Sequence, residues 1–139
     1  MSRKLVLASH GKFAEGLLHS VEMIIGPPSC EVEVYGLEHG GNPFDYAKEL
    51  EEEIRLNPER EFVIVCDLFG ASIANAMSLL TGYENVFVFT GMSAGLVLSL
   101  LLSYTDPLDE DGIKGVLDET KQGVQVIRLT EDSSESEDF

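Results

Sequence analysis

The fold is decided by a stretch near the start of the chain, Leu5-Val6-Leu7-Ala8-Ser9-His10-Gly11. Four apolar residues in a row are typical of a strand buried on both faces, as in a parallel sheet. A second run of this kind, Phe62 to Cys66, ends directly before Asp67. Because ligands bind at the carboxyl ends of the strands in open α/β sheets, we expect His10 and Asp67 to lie side by side at one sheet edge.

Helical and strand patterns alternate along the rest of the chain. Helices are predicted where apolar residues recur every three or four positions, at residues 13–25, 43–56, 73–80 and 93–103. Further strands are predicted at shorter apolar or alternating runs, at residues 31–35, 86–89 and 124–129. Residues 106–122 are predicted to be a polar connection with a short helix. This order predicts an α/β fold, a doubly wound and mostly parallel sheet with helices on both faces and the flavodoxin-like strand order 2-1-3-4.

Composition limits the classes of function. The 139 residues carry a net charge of −16, which repels nucleic acids and anionic membranes, so neither is a predicted partner. The length suits one domain, assigned to residues 1–130, followed by an acidic tail at residues 131–139. The short apolar run at the start of the chain is unlike a secretory leader, and the two cysteines, Cys30 and Cys66, suit a reducing compartment. We therefore predict a cytoplasmic protein.

The predicted sheet edge has the chemistry of a phosphoryl acceptor. One imidazole nitrogen of His10 can keep a free lone pair while the other donates to a carboxylate, and Asp67 is positioned to be that carboxylate. Backbone amides in a loop that leads into a helix can bind phosphate oxygens. The predicted phosphate-binding residues are those that follow Asp67: Leu68, Phe69, Gly70, Ala71 and Ser72.

Other interpretations of the same residues remain open at this point. His10 could be an ordinary loop histidine, and Asp67 could cap the helix that follows. His39, after the second predicted strand, could line the cleft or join His10 and Asp67 in a metal site. No spaced ligand motif and no dinucleotide fingerprint is present, so no metal and no cofactor is predicted.

Three other α/β families with chemistry at strand ends fit less well. Histidine phosphatases and phosphoglycerate mutases place an arginine before the histidine, whereas this chain has Ser9 there. Response-regulator receivers need an acidic cluster after the first strand, and flavodoxins need a hydroxyl-rich phosphate loop. Neither pattern occurs between Leu5 and Gly11.

Two segments together indicate a family. The first is Ala8-Ser9-His10-Gly11-Lys12-Phe13-Ala14-Glu15-Gly16-Leu17-Leu18 with residues 20–26, and the second is Val65-Cys66-Asp67-Leu68-Phe69-Gly70-Ala71-Ser72 with Asn75. On these segments the chain resembles the enzyme IIA domain of the mannose-type sugar phosphotransferase systems. The resemblance extends over nearly the whole length.

The resemblance implies a phosphotransferase subunit in sugar uptake. It implies that His10 is phosphorylated by the phosphocarrier HPr and passes the group to a IIB domain, with Asp67 as its hydrogen-bonding partner. The membrane subunits IIC and IID would then be indirect partners. Two alternatives stay open, a regulatory module whose phosphorylated His10 controls a transcriptional regulator, and an interaction module without phosphorylation.

The predicted helix at residues 93–103 also bears on assembly. It is apolar almost all round, which indicates that a subunit interface covers the face the sheet leaves free. The resemblance implies a homodimer in which the final strand, Val124 to Leu129, runs antiparallel and is exchanged with the neighbouring subunit. On this interpretation Leu100 and Leu101 belong to the interface.

Overall fold

A computed structural model describes residues 2–129, and these form a four-stranded sheet between two layers of helices. All strand pairs are parallel, and the strand order is β2-β1-β3-β4. The strands are β1 (Arg3–His10), β2 (Glu31–Leu37), β3 (Glu61–Cys66) and β4 (Val86–Phe89). The predicted fold class and the order 2-1-3-4 are therefore confirmed.

The first two helices have the predicted bounds. They are α1 (Phe13–Ile25) and α2 (Pro43–Leu56). At the start of α2 the Asn42 side chain accepts a hydrogen bond from the Phe44 amide at 3.0 Å, and Pro43 needs no such partner because it has no amide hydrogen. The local sequence is sufficient to place this helix start.

The later helices are more divided than the periodicity predicts. The helix after β3 is α3 (Ser72–Ser78), and a 3₁₀ turn, Leu79–Gly82, continues it. The apolar helix is α4 (Ala94–Leu98) with a π-helical continuation, Ser99–Ser103. The last helix, α5 (Glu110–Gln122), has 13 residues where the sequence indicated a polar connection with a short helix.

Two hydrophobic cores lie on opposite faces of the sheet, because side chains alternate along each strand. Leu5 and Leu7 of β1 face the core shared with α1, α4 and α5. Val6 and Ala8 face the core shared with α2 and α3. This confirms that helices cover both faces.

Helix α5 corrects one prediction about the interface. Leu100 and Leu101 are only 0% and 4% exposed, since the last turns of the apolar helix pack inside the same chain against α1 and α5. Val116 of α5 is fully buried in this core. The expectation that Leu100 and Leu101 wait for a second subunit is therefore wrong. The physical reason is that the amphipathic helix α5 of the same chain covers the face that the sheet leaves free.

Residues 124–129 form no strand with the rest of the described chain. Their apolar side chains are more than four-fifths exposed, from 81% at Val126 to 97% at Leu129. Exchange of this segment in a dimer stays a prediction, and the acidic tail at residues 131–139 lies outside the described residues. Within residues 2–129, no helix combines the length and apolar character that crossing a bilayer requires.

Candidate functional site

His10 and Asp67 meet at the carboxyl edge of the sheet. In the β1–β3 register Ala8 pairs with Cys66, so His10 ends one strand and Asp67 directly follows its neighbour. One carboxylate oxygen, Asp67 Oδ2, accepts a hydrogen bond from the His10 amide at 2.8 Å and lies 2.7 Å from His10 Nδ1. The structure brings together the two residues that the strand ends predicted to be neighbours.

The two side chains differ in exposure. The Asp67 side chain is 8% exposed, whereas the His10 ring is 50% exposed. Burial opposes the ionisation of Asp67, but hydrogen bonds from the His10 amide, the His10 ring and the Leu68 amide outweigh it and lower the pKa of this carboxyl. Asp67 is therefore an ionised acceptor at neutral pH, set below a ring that solvent can reach.

This geometry selects one form of the imidazole. An ionised carboxylate can only accept hydrogen bonds, so Nδ1 of His10 must be the donor. In the neutral ring the other nitrogen, Nε2, then keeps its lone pair. The site therefore presents a nucleophilic nitrogen at the surface, with its partner nitrogen held by a negative charge.

A close approach between β1 and β2 holds the chain after His10. The Gly11 amide donates to the Leu37 carbonyl at 2.8 Å, and Gly11 has a positive φ of 54°. A side chain at Gly36 would place its Cβ 2.3 Å from the Gly11 carbonyl oxygen, so only glycine fits there. Gly36 and Leu37 were missed by sequence reasoning because their role depends on the pairing register, which a single sequence does not display.

Ser9 links His10 to α1. Its hydroxyl oxygen accepts a hydrogen bond from the Ala14 amide at 2.8 Å and donates to the His10 carbonyl at 3.1 Å. The first turn of the helix is thereby tied to the end of β1. Ser9, which stands where the histidine phosphatases have an arginine, thus has a structural role beside His10.

The loop after β3 is only partly available to a phosphate group. The Leu68 amide donates to Asp67 Oδ1 at 2.9 Å and so supports the carboxylate. Within residues 2–129, the following four amides donate to no protein acceptor: Phe69, Gly70, Ala71 and Ser72. The residue that caps α3 is Ala71, so the alternative of Asp67 as a helix cap is wrong.

His39 lies in the same cleft as His10. This open cleft, of about 510 Å³, is lined by His10, Gly11, Leu37, Glu38, His39, Gly40 and Gly41. The expectation that His39 lines the cleft is confirmed. In the described part of the chain, no three His, Cys, Asp or Glu side chains are grouped so as to hold a metal ion, and His19 is an exposed residue of α1.

Comparison with known proteins identifies the family. The family model described as "PTS system fructose IIA component", where PTS denotes the sugar phosphotransferase system, matches residues 4–114. The chain belongs to this family. The matched residues include both His10 and Asp67, and the relation to mannose-type IIA domains that the sequence motifs indicated is confirmed.

Solved structures of PTS proteins have the same fold. A protein from Klebsiella pneumoniae that is described as a phosphoenolpyruvate-dependent sugar PTS permease is 26% identical with a TM-score of 0.80, and 91% of each chain is covered. A PTS IIA protein associated with the fucose utilization operon of Streptococcus pneumoniae is 25% identical with a TM-score of 0.74, over 91% of this chain and 93% of that one. A mannose/sorbose-specific IIA subunit from Enterococcus faecalis is 24% identical with a TM-score of 0.74, over 94% and 98%.

Proposed function

We propose that this PTS IIA component carries phosphoryl groups on His10, accepting them from phospho-HPr and passing them to a IIB domain for sugar uptake. The observation that carries the proposal is the contact of His10 Nδ1 with the ionised Asp67 at 2.7 Å, which leaves the lone pair of Nε2 free on a ring that is half exposed. Transfer between histidines needs such a nitrogen and little other chemistry from the protein.

The transfer step balances on the two rings. The lone pair of His10 Nε2 attacks the phosphorus in line while the bond from phosphorus to the HPr histidine breaks, and that histidine recovers its lone pair. The proton on His10 Nδ1 stays in the hydrogen bond to Asp67, whose charge stabilises the more positive ring. In the second transfer a nucleophile of the IIB domain attacks the phosphorus, the bond from phosphorus to His10 Nε2 breaks, and Nε2 recovers its lone pair.

Binding of the phosphoryl oxygens is assigned to the loop after Asp67. The free amides of Phe69 to Ser72 and the Ser72 hydroxyl can donate to these oxygens, whereas the Leu68 amide acts through Asp67.

Exposed apolar residues next to His10 and Asp67 support the proposal that other proteins dock at this site. Phe13 is 50% exposed, Leu68 61% and Phe69 88%. Large apolar side chains of this kind are enriched where proteins dock. We assign this rim to HPr and the IIB domain, with the membrane subunits IIC and IID reached indirectly, and we place the protein in the cytoplasm where HPr acts.

The test is phosphorylation from phosphoenolpyruvate with enzyme I and HPr, read by intact-mass spectrometry. We expect one added phosphate that is acid-labile and alkali-stable, present in the His19→Ala control and absent from His10→Ala. A phosphate that persists on His10→Ala would disprove the site. Onward transfer to a IIB domain distinguishes the carrier from the regulatory alternative, in which phosphorylated His10 would be stable toward IIB.

A further inference from the structure

A phosphoryl group on His10 creates an electrostatic problem for this chain. The phosphoryl group adds nearly two negative charges beside the ionised Asp67, in a protein whose net charge is already −16. Like charges this close are unfavourable unless a positive group lies near them. A positively charged side chain near His10 is therefore needed to stabilise the phosphoryl group.

The buried cations of the sheet lie at its opposite edge. Arg3 and Lys4 begin β1, and their side chains are 2% and 3% exposed. Arg3 Nε pairs with Glu61 at 2.6 Å, and Lys4 Nζ lies within 2.8 Å of both Glu33 and Glu53. The charges of Arg3 and Lys4 are neutralised by these carboxylates, and the two residues lie a full strand length from His10. They are therefore too far away to stabilise the phosphoryl group.

The cleft beside His10 contains one further group that can become positive, His39. Leu37 is the register partner of His10 in the β1–β2 pair, and His39 follows it by two residues. The turn that carries His39 is closed by a hydrogen bond from the Gly41 amide to the Glu38 carbonyl at 2.9 Å. Among the residues that line the cleft, all within the described chain, only His10 and His39 can carry positive charge.

We propose that protonated His39 stabilises the phosphoryl group on His10 and so makes the transfer equilibrium depend on pH. This inference rests on the proposed phosphorylation of His10. The other charged groups near the cleft are Glu38 in the same turn, Asp67 at the end of β3 and Lys12 before α1. Lys12 is the remaining cation near the site, and its attraction for the phosphoryl group is common to the intact protein and to variants at His39.

Thermodynamic linkage sets the size of the effect. If protonated His39 favours phosphorylated His10 by about three- to fivefold, as for a partly exposed charge pair, phosphorylation raises the proton-binding constant of His39 by the same factor, and its titration midpoint by the logarithm of that factor. That is about 0.5 to 0.7 pH units. Below this midpoint the phosphorylated form is favoured by His39, and above it the contribution is lost.

The direct test is an NMR titration of ¹³C-labelled histidine rings between pH 6 and 8.5. Phosphoenolpyruvate with catalytic amounts of enzyme I and HPr keeps His10 phosphorylated, and His39→Gln assigns the His39 signal. We expect the His39 midpoint to rise on phosphorylation while that of His19, on the exposed face of α1, stays within 0.1 pH units or so.

A second measurement is the equilibrium of phosphoryl transfer with phospho-HPr. Relative to the intact protein, His39→Gln should lower phosphorylation about three- to fivefold at pH 6 and leave it nearly unchanged at pH 8.5, with His19→Gln as the matched control. Equal movement of His39 and His19, or an equilibrium unaffected by His39→Gln at every pH, would overturn this role and leave His10 as the carrier. No phosphorylation of the intact protein would instead reject the proposed function, and this inference with it.

Discussion

A single oxygen of Asp67 holds both the backbone and the ring of His10. Asp67 Oδ2 is 2.8 Å from the His10 amide nitrogen and 2.7 Å from Nδ1. The first contact fixes where β1 ends and the second fixes the direction of the ring. Because the same carboxylate does both, changes at Asp67 affect the position of His10 as well as its chemistry.

Asp67→Asn should slow phosphoryl transfer with little change in the fold. The amide keeps one acceptor but has no charge, so it no longer favours the form of His10 with a proton on Nδ1. We expect transfer from phospho-HPr to fall between about 10-fold, the smaller cost of replacing a partner that orients a metal-bound histidine, and about 10⁴-fold, the cost of an Asp→Asn change beside the histidine of a catalytic triad. Rapid-quench measurements would check this, and unchanged rates in both directions would show that Asp67 only supports the backbone.

Stability should depend on pH through the same residue. Since the pKa of Asp67 is lower in the folded than in the unfolded chain, its contribution is complete above the ordinary aspartate value of about 4 and is lost as pH falls through the folded value. The free energy of unfolding of Asp67→Asn should be about 1–3 kcal/mol lower at pH 7, and the difference should shrink toward pH 3. Urea unfolding measures this, with Asp45→Asn, an exposed carboxylate on α2, as control. A difference that does not change with pH would contradict the linkage.

Gly36→Ala should disturb the site from a neighbouring strand. Its Cβ would lie 2.3 Å from the Gly11 carbonyl oxygen, so the chain after His10 must move. We expect a loss of about 1–3 kcal/mol in stability together with slower phosphorylation. The control is Gly16→Ala in α1, where a Cβ meets nothing within 4 Å and should stabilise the helix by about 0.5–1 kcal/mol. Full activity in Gly36→Ala would show that the loop tolerates the displacement.

We predict that the exposed segment at residues 124–129 is exchanged between the two subunits of a dimer. Within residues 2–129, strand β4 pairs only with β3, and the residues that line a groove beside it include Phe87, Phe89, Ile113 and Leu117. Apolar side chains of residues 124–129 would cover such a groove in a second copy.

Removal of residues 124–139 should therefore give a folded monomer, because both cores lie within residues 5–116. Ile127→Glu should weaken the dimer, whereas Leu56→Glu, at an exposed position outside the segment, should not. Light scattering at micromolar concentration checks each variant. A folded monomer of the unaltered protein would refute the exchange.

Local sequence determined most of the architecture. The helix bounds at residues 13–25 and 43–56 follow from periodicity and, for the second, from the Asn42 cap, since both signals act within a few residues. The juxtaposition of His10 with Asp67 could also be predicted, because parallel strands bring their carboxyl ends to one edge. The family motifs added the phosphotransferase assignment.

Tertiary structure decided what depends on contacts between distant segments. The sequence alone shows an apolar helix at Leu100 and Leu101 but not that α5 covers it, because amphipathic faces do not specify which partner buries them. The need for glycine at position 36 and the place of His39 in the cleft likewise depend on the β1–β2 register. One Asp67 oxygen accepts hydrogen bonds from two groups of His10, and this arrangement depends on tenths of an ångström, an accuracy that only packed strands give to side chains.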